Sequence, residues 1–139
     1  MLKRIHKISE PGNNNLEAIQ FQLPISYNGP KGENDLEKAY TPEHFFLAAL
    51  AGCFITTFSV VSKNSNFNYK KIQIKSKGIM REIEGTKMME IVKQDITLTI
   101  AEEKLKRKAN RILEITEQRC PLANSVKSRI ENSYNIIIE

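Results

Sequence analysis

Phe45-Phe46-Leu47-Ala48-Ala49-Leu50-Ala51-Gly52-Cys53-Phe54-Ile55-Thr56-Thr57-Phe58-Ser59-Val60-Val61-Ser62 is the stretch around which the rest of the chain is organised, and it contains no charge. Its flanks are polar. Thr41-Pro42-Glu43 supplies an N-cap hydroxyl, a proline at the first helical position and an acid in the first turn, three signals that start a helix. Lys63-Asn64-Ser65-Asn66 closes it. A helix that is apolar all round is buried in a core or inserted in a membrane. At about 18 residues this one lies at the lower edge of what spans a bilayer, and Ser, Thr and Gly punctuate it. It therefore reads as the buried central helix of a soluble fold.

Upstream, Leu2, Ile5 and Ile8 sit among Lys and Arg as a modest strand, and Pro11-Gly12-Asn13-Asn14-Asn15 makes a turn. Ile19, Phe21, Leu23 and Ile25 then alternate on one face as a half-buried strand, completing a hairpin. Residues 28–40 are polar, with Gly29-Pro30 and Gly32, and form a loop into the helix.

Downstream, Ile72 and Ile74 alternate with Lys71, Gln73, Lys75 and Lys77, a strand with one wet face. Glu84-Gly85-Thr86 turns the chain. Met89 and Ile91 share one parity, whereas Ile96, Leu98 and Ile100 share the other. Since the side-chain period of a strand is two, this flip predicts a bulge near Lys93–Gln94. From Glu102 the period becomes helical. Leu105, Ala109, Ile112, Leu113, Thr116 and Cys120 form one stripe opposite Lys104, Arg107, Lys108 and Arg111. Pro121 ends that helix, Leu122 to Arg129 reads as a further short helical segment, and Tyr134 to Ile138 closes the chain as a strand. The element order gives an α+β fold, antiparallel sheets packed around the long central helix, in one domain over residues 1–139.

The 139 residues are long enough for a core of their own, and a formal net charge of +5 is compatible with a lysine-rich solvated surface. No tryptophan, arginine cluster or Cys/His zinc spacing accompanies that charge, so neither nucleic acid nor membrane is expected as a partner. Residues 1–10 have no apolar core of a signal peptide. With two cysteines, the chain reads as cytoplasmic and free of structural disulfides. His6 and His44 are too isolated to form a metal site with the cysteines, and there is no Gly-rich phosphate loop, so no metal or cofactor is expected.

Cys53, Cys120 and Glu43 are the candidate site residues. Each also has a plain structural role: buried cysteine behaves as a small hydrophobe, and an acid in a first helical turn suits the helix dipole. Both cysteines nevertheless face one core. Gly52 leaves room for a close approach to Cys53. A helix start after Cys120 would favour its thiolate.

Thr41-Pro42-Glu43-His44-Phe45-Phe46-Leu47-Ala48-Ala49-Leu50-Ala51-Gly52-Cys53-Phe54 resembles the first cysteine motif of the OsmC/Ohr family, the osmotically inducible and organic hydroperoxide resistance proteins. Cys120-Pro121-Leu122-Ala123-Asn124-Ser125 resembles the second. The resemblance implies an intertwined homodimer and an antioxidant thiol peroxidase acting in the stress response. Cys53 would be the peroxidatic cysteine and Cys120 the resolving one, with an organic hydroperoxide as substrate and a dithiol as reductant. Glu43 would match the family's acid, which holds an arginine over the thiolate. The segment before the first motif has no arginine after Arg4, and its loop offers only Lys31 and Lys38. A lysine lowers a thiol pKa by charge but makes no planar bidentate pair with Glu43. The cation beside Cys53 is therefore expected from Lys38, Lys31 or Arg4. The alternative is a non-peroxidatic relative that binds a small hydrophobic or thiol ligand at the dimer interface.

Ten residues separate Glu43 from Cys53, roughly 15 Å along a helix axis and on different faces. One carboxylate cannot serve the thiol of its own helix, and a second copy packed antiparallel could supply it. The expectation is a homodimer with the long helices in contact.

Overall fold

The computed structural model describes Lys7–Ser9, Glu17–Ile19 and residues 41–139. It divides into Met1–Ala39 and Tyr40–Glu139. In the first unit, β1 (Lys7–Ser9) pairs antiparallel with β2 (Glu17–Ile19), Ile8 opposite Ala18. This is the expected hairpin. The Pro11–Asn15 turn, the continuation of the second strand to Ile25, the entry loop, and Arg4, Lys31 and Lys38 lie outside the described residues.

In the second unit, α1 spans Pro42–Asn64 without a break. Thr41 is its extended N-cap, and the Thr41 amide donates to His44 Nδ1 at 3.1 Å, so histidine fills the capping-box position usually held by Glu or Gln. At the other end Asn66 takes a left-handed φ of 51°. Phe67 N–H donates to the Ser62 carbonyl at 2.9 Å and Asn66 N–H to Lys63 at 3.2 Å. This is a Schellman close, with Phe67 carried into the core behind it.

β3 (Lys71–Ile83) and β4 (Thr86–Ile100) form a long antiparallel hairpin. Glu84 and Gly85 both have positive φ, 50° and 79°, which matches the twist of a two-residue hairpin turn. The register slips between Ile79, opposite Ile91, and Met80, opposite Met89. The bulged residue is thus Glu90, not Lys93 or Gln94. The extra residue returns Met89 to the side of the sheet that carries Val92, Ile96 and Leu98, the correction the parity flip requires.

A short 3₁₀ turn (Glu103–Leu105) leads into α2 (Lys106–Arg119), which buries Ala109, Ile112, Leu113 and Thr116. β5 (Arg129–Ile138) then lies parallel to β4, Gln94 opposite Asn132 and Ile96 opposite Tyr134. The sheet, ordered β3-β4-β5, is therefore mixed and not wholly antiparallel. The reason lies in the connection: parallel neighbours need a crossover, and α2 supplies it. The segment expected to be helical after Pro121 is a run of turns from Pro121 to Ser125.

The α+β class stands. Phe54, Phe58 and Val61 of α1 meet Ile96, Leu98 and Ile100 of β4 and Ile112 and Leu113 of α2 in one core. Phe58 is fully buried, edge-on to Tyr69 with ring centres 4.9 Å apart. The central helix is covered along one stripe, Leu50, Phe54, Phe58 and Val61, spaced three or four residues apart. Its other side leaves Phe45 49 % and Val60 54 % exposed. By length and composition Pro42–Asn64 could also cross a membrane.

Candidate active site

Cys53 stands in the middle of α1, half-buried, and Cys120 is the C-cap of α2. Pro121 stops α2, and Cys120 leaves the helix with an extended ψ of 111°. Asn124 fixes the turn that follows. Its side-chain amide donates to the Cys120 carbonyl at 2.9 Å and to the Gln118 carbonyl at 3.1 Å, while Ser125 Oγ donates to the Pro121 carbonyl at 2.8 Å. These local bonds compete with a helix and explain why none continues here.

The structure places the Cys53 side chain near enough to Cys120 to act on its thiol, and both cysteines are free. Burial pushes the Cys120 thiol above the ordinary thiol range; the backbone amides of Ala123 and Leu122 pull the other way, and the Cys53 side chain raises it further. The turn after Pro121 thus supplies the amides that a new helix was expected to provide.

Glu43 does not join them. It is exposed in the first turn of an unbroken α1 and lines a separate cavity of about 500 Å³ with Phe46, Met80, Met88 and Met89. The backbone at the helix start, and then the Thr41 hydroxyl, hold its carboxyl below the usual carboxylate value. Among the described residues no three His, Cys, Asp or Glu side chains are grouped to hold a metal.

Behind Cys120 lies a smaller cavity of about 210 Å³ that the sequence analysis did not single out. Gln94, Glu117, Asn124 and Asn132 give it a polar lining. Gln94 Nε2 donates to Asn132 Oδ1 at 3.0 Å, and Asn132 Nδ2 donates to Glu117 Oε1 at 3.1 Å. Burial, then the Glu117 carboxylate, push the Tyr134 phenol upward beside them. The signal was present in the sequence: Gln94 interrupts the apolar parity of Val92, Ile96 and Leu98, and Asn132 does the same between Ile130 and Tyr134.

Residues 32–135 match the family model described as OsmC-like protein. The chain belongs to the OsmC-like family. No curated protein matches it in sequence. Among solved structures it is similar to an OsmC-like protein of unknown function from Vibrio cholerae, with a TM-score of 0.62 and 18 % identity over 71 % of this chain and 66 % of that one, just under two thirds of its length. An organic hydroperoxide resistance protein from Elizabethkingia anophelis gives a TM-score of 0.58 and 22 % identity over 73 % and 71 %. The organic hydroperoxide resistance protein of Bacillus subtilis gives 0.55 and 16 % over 98 % and 97 %. At these identities the likeness is one of fold, and this OsmC-like chain shares that fold with hydroperoxide resistance proteins.

Proposed function

We propose that this OsmC-like protein is a cytoplasmic, thiol-dependent peroxidase that reduces organic hydroperoxides through Cys53 and Cys120. The observation that carries the reading is the proximity of the two cysteines, one half-buried and one buried. The Cys53 thiolate attacks the terminal peroxide oxygen. The O–O bond breaks, the alcohol leaves, and Cys53 becomes a sulfenic acid. The Cys120 thiolate attacks that sulfur, water departs, and a disulfide forms. An external dithiol, or two equivalents of a monothiol, restores the pair.

The reading includes a homodimer. The exposed apolar side of α1, with Phe45, Ile55 and Val60, suits a partner surface, and Glu43 cannot reach Cys53 along its own helix. A lysine of the entry loop, or Arg4, would then favour the Cys53 thiolate.

A second reading has its own observation. The cavity of about 500 Å³ beside Glu43, walled by Phe46 and three methionines, suits a small apolar ligand without peroxide chemistry. Incubating the reduced protein with cumene hydroperoxide or hydrogen peroxide, and counting free thiols over time, separates the two. The peroxidase loses both thiols, faster with the organic peroxide. A ligand-binding protein keeps them.

A further inference from the structure

Three threonines lie inside the two helices, Thr56 and Thr57 in α1 and Thr116 in α2. Two of them bond back to the carbonyl one turn earlier. Thr56 Oγ1 donates to the Gly52 carbonyl at 2.8 Å, and Thr116 Oγ1 to the Ile112 carbonyl at 2.7 Å. This is a common fate of a helical threonine hydroxyl. Thr57 departs from it. The residue four before it is Cys53, and the Thr57 hydroxyl bonds neither to the Cys53 carbonyl nor to any other group among the described residues. Thr57 is half-buried, and its oxygen is not sealed in the way of the Ser62 hydroxyl, which is buried without a partner. A donor at this place is both unspent and reachable.

Its place is beside the reactive sulfur. Side chains four residues apart share a helix face, with Cβ atoms about 5–6 Å apart, and lean toward the helix start. Thr57 thus leans over the turn that carries Cys53. The second helix fixes the surroundings. Cys120 neighbours Cys53 at one end, and Lys108 Nζ donates to the Ser65 carbonyl at 2.7 Å at the other. Positions 53 and 65 are twelve residues apart, as are 108 and 120, so α1 and α2 run antiparallel and level. Thr116 stands level with Thr57, fully buried, its proton committed to Ile112. Cys120 is buried as well. The half-buried pair Cys53 and Thr57 is the side on which an incoming molecule meets the sulfur.

We infer that Thr57 is a catalytic residue of the peroxide step: its hydroxyl donates a hydrogen bond to the leaving oxygen of a hydroperoxide seated on Cys53. The inference rests on the peroxidase reading and adds the group that assists O–O cleavage. Thiolate and peroxide oxygen start about 3–3.5 Å apart in a reactive pose. A peroxide aligned along α1 then brings its second, alkyl-bearing oxygen to the Thr57 hydroxyl one turn away. As the S–O bond forms, the O–O bond breaks and its electron pair goes to that oxygen. The sulfur is oxidised to the sulfenic acid, and the peroxide is reduced to the alcohol. The hydroxyl stabilises the negative charge where it develops. The alkoxide takes its proton from water, and Thr57 keeps its own.

The test compares Thr57→Val, which keeps the branched shape and removes the donor, with Thr57→Ser, which keeps the donor. Rates of Cys53 oxidation in the full-length protein are measured with cumene hydroperoxide and with peracetic acid. Alkylation of Cys53 by iodoacetamide is followed against pH. Thr57→Val is expected to slow the cumene hydroperoxide reaction about ten-fold, the scale of one hydrogen bond to a charged group, with Thr57→Ser within about two-fold of the unaltered chain. With peracetic acid, whose carboxylate leaves without help, Thr57→Val is expected to lose less than about three-fold. The alkylation profile is expected to stay unchanged, because the hydroxyl acts on the peroxide and not on the thiolate. Equal losses with the two oxidants overturn the inference, since a displaced helix slows both alike. A shifted alkylation profile, an unslowed Thr57→Val, or a Thr57→Ser as slow as Thr57→Val overturns it too. Thr57→Ala carries the same expectations if Thr57→Val does not fold. Failure of the peroxidase reading shows separately and takes the inference with it: the unaltered chain then keeps its thiols with both oxidants while iodoacetamide still alkylates Cys53.

Discussion

Cys120, at the C-cap of α2, is a near neighbour of Cys53, which projects from the middle of α1. The chain brings together two thiols 67 residues apart by ending one helix with a proline directly after a cysteine and packing that helix end against the other helix.

The two cysteines should have separable roles. Cys53→Ser should abolish consumption of cumene hydroperoxide. Cys120→Ser should consume about one equivalent and then stall, leaving a sulfenic acid at Cys53 that dimedone traps. Rapid-quench mass spectrometry checks both. Equal behaviour of the two variants would remove the distinction between attacking and resolving thiol.

The closure step should depend on pH. Burial holds the Cys120 thiol above its ordinary value, and only its thiolate closes the disulfide. As pH falls the proton stays on, so closure slows; as pH rises, closure should keep accelerating beyond the ordinary thiol value of about 8.5. Trapped sulfenic acid, followed against pH, should therefore be longest-lived at low pH. A closure rate already level at pH 7 would contradict the assignment.

Much of this arrangement was legible in the sequence. The uncharged run from Phe45 to Ser62, the Thr41-Pro42-Glu43 start and the stripe from Ala109 to Thr116 give both helices, because burial leaves a periodic trace. The direction of β5 was not taken from it, although the helix between β4 and β5 is the crossover that parallel pairing requires. Parity announced the bulge, yet its position at Glu90 depends on which residue of β3 faces Met89. The turns after Pro121 depend on Asn124 and Ser125 bonding to nearby carbonyls, a local competition that hydrophobic periodicity does not record. The Cys53–Cys120 pair was expected from family resemblance. The Gln94–Asn132–Glu117 chain passed unnoticed because its members lie on three different elements.

Gly78 sets how closely α1 approaches the sheet. A Cβ there would stand 2.8 Å from Met89 Sδ and 3.3 Å from Leu47 Cδ2 of α1. Met89 presents the end of a flexible side chain and can yield, so Gly78→Ala should change stability by less than about 1 kcal/mol, offset by the gain of replacing glycine in a strand. Gly78→Val should cost about 1–3 kcal/mol by overpacking. Urea unfolding of both variants checks the difference, and equal stabilities would mean that the helix is not seated against this position.

Glu43 should act across a dimer. Glu43→Ala should lower turnover roughly 10- to 100-fold if it orients the group over the thiolate. Mixing that variant with Cys53→Ser, then dissociating and reassociating the chains, forms heterodimers that hold one intact site. Activity should return to about a quarter of the unaltered level, because half the dimers are then mixed. No recovery in mixed dimers would place Glu43 and Cys53 function in the same chain. A monomer at micromolar concentration in sedimentation would remove the dimer altogether.

The disulfide itself is the most direct test. The reduced protein is treated with one equivalent of cumene hydroperoxide per chain, blocked with an alkylating agent, digested without reductant and mapped by mass spectrometry. Loss of both thiols is expected, with a linked peptide pair joining Cys53 to Cys120 within one chain. Two alkylated, unlinked cysteines after the peroxide has been offered would contradict it.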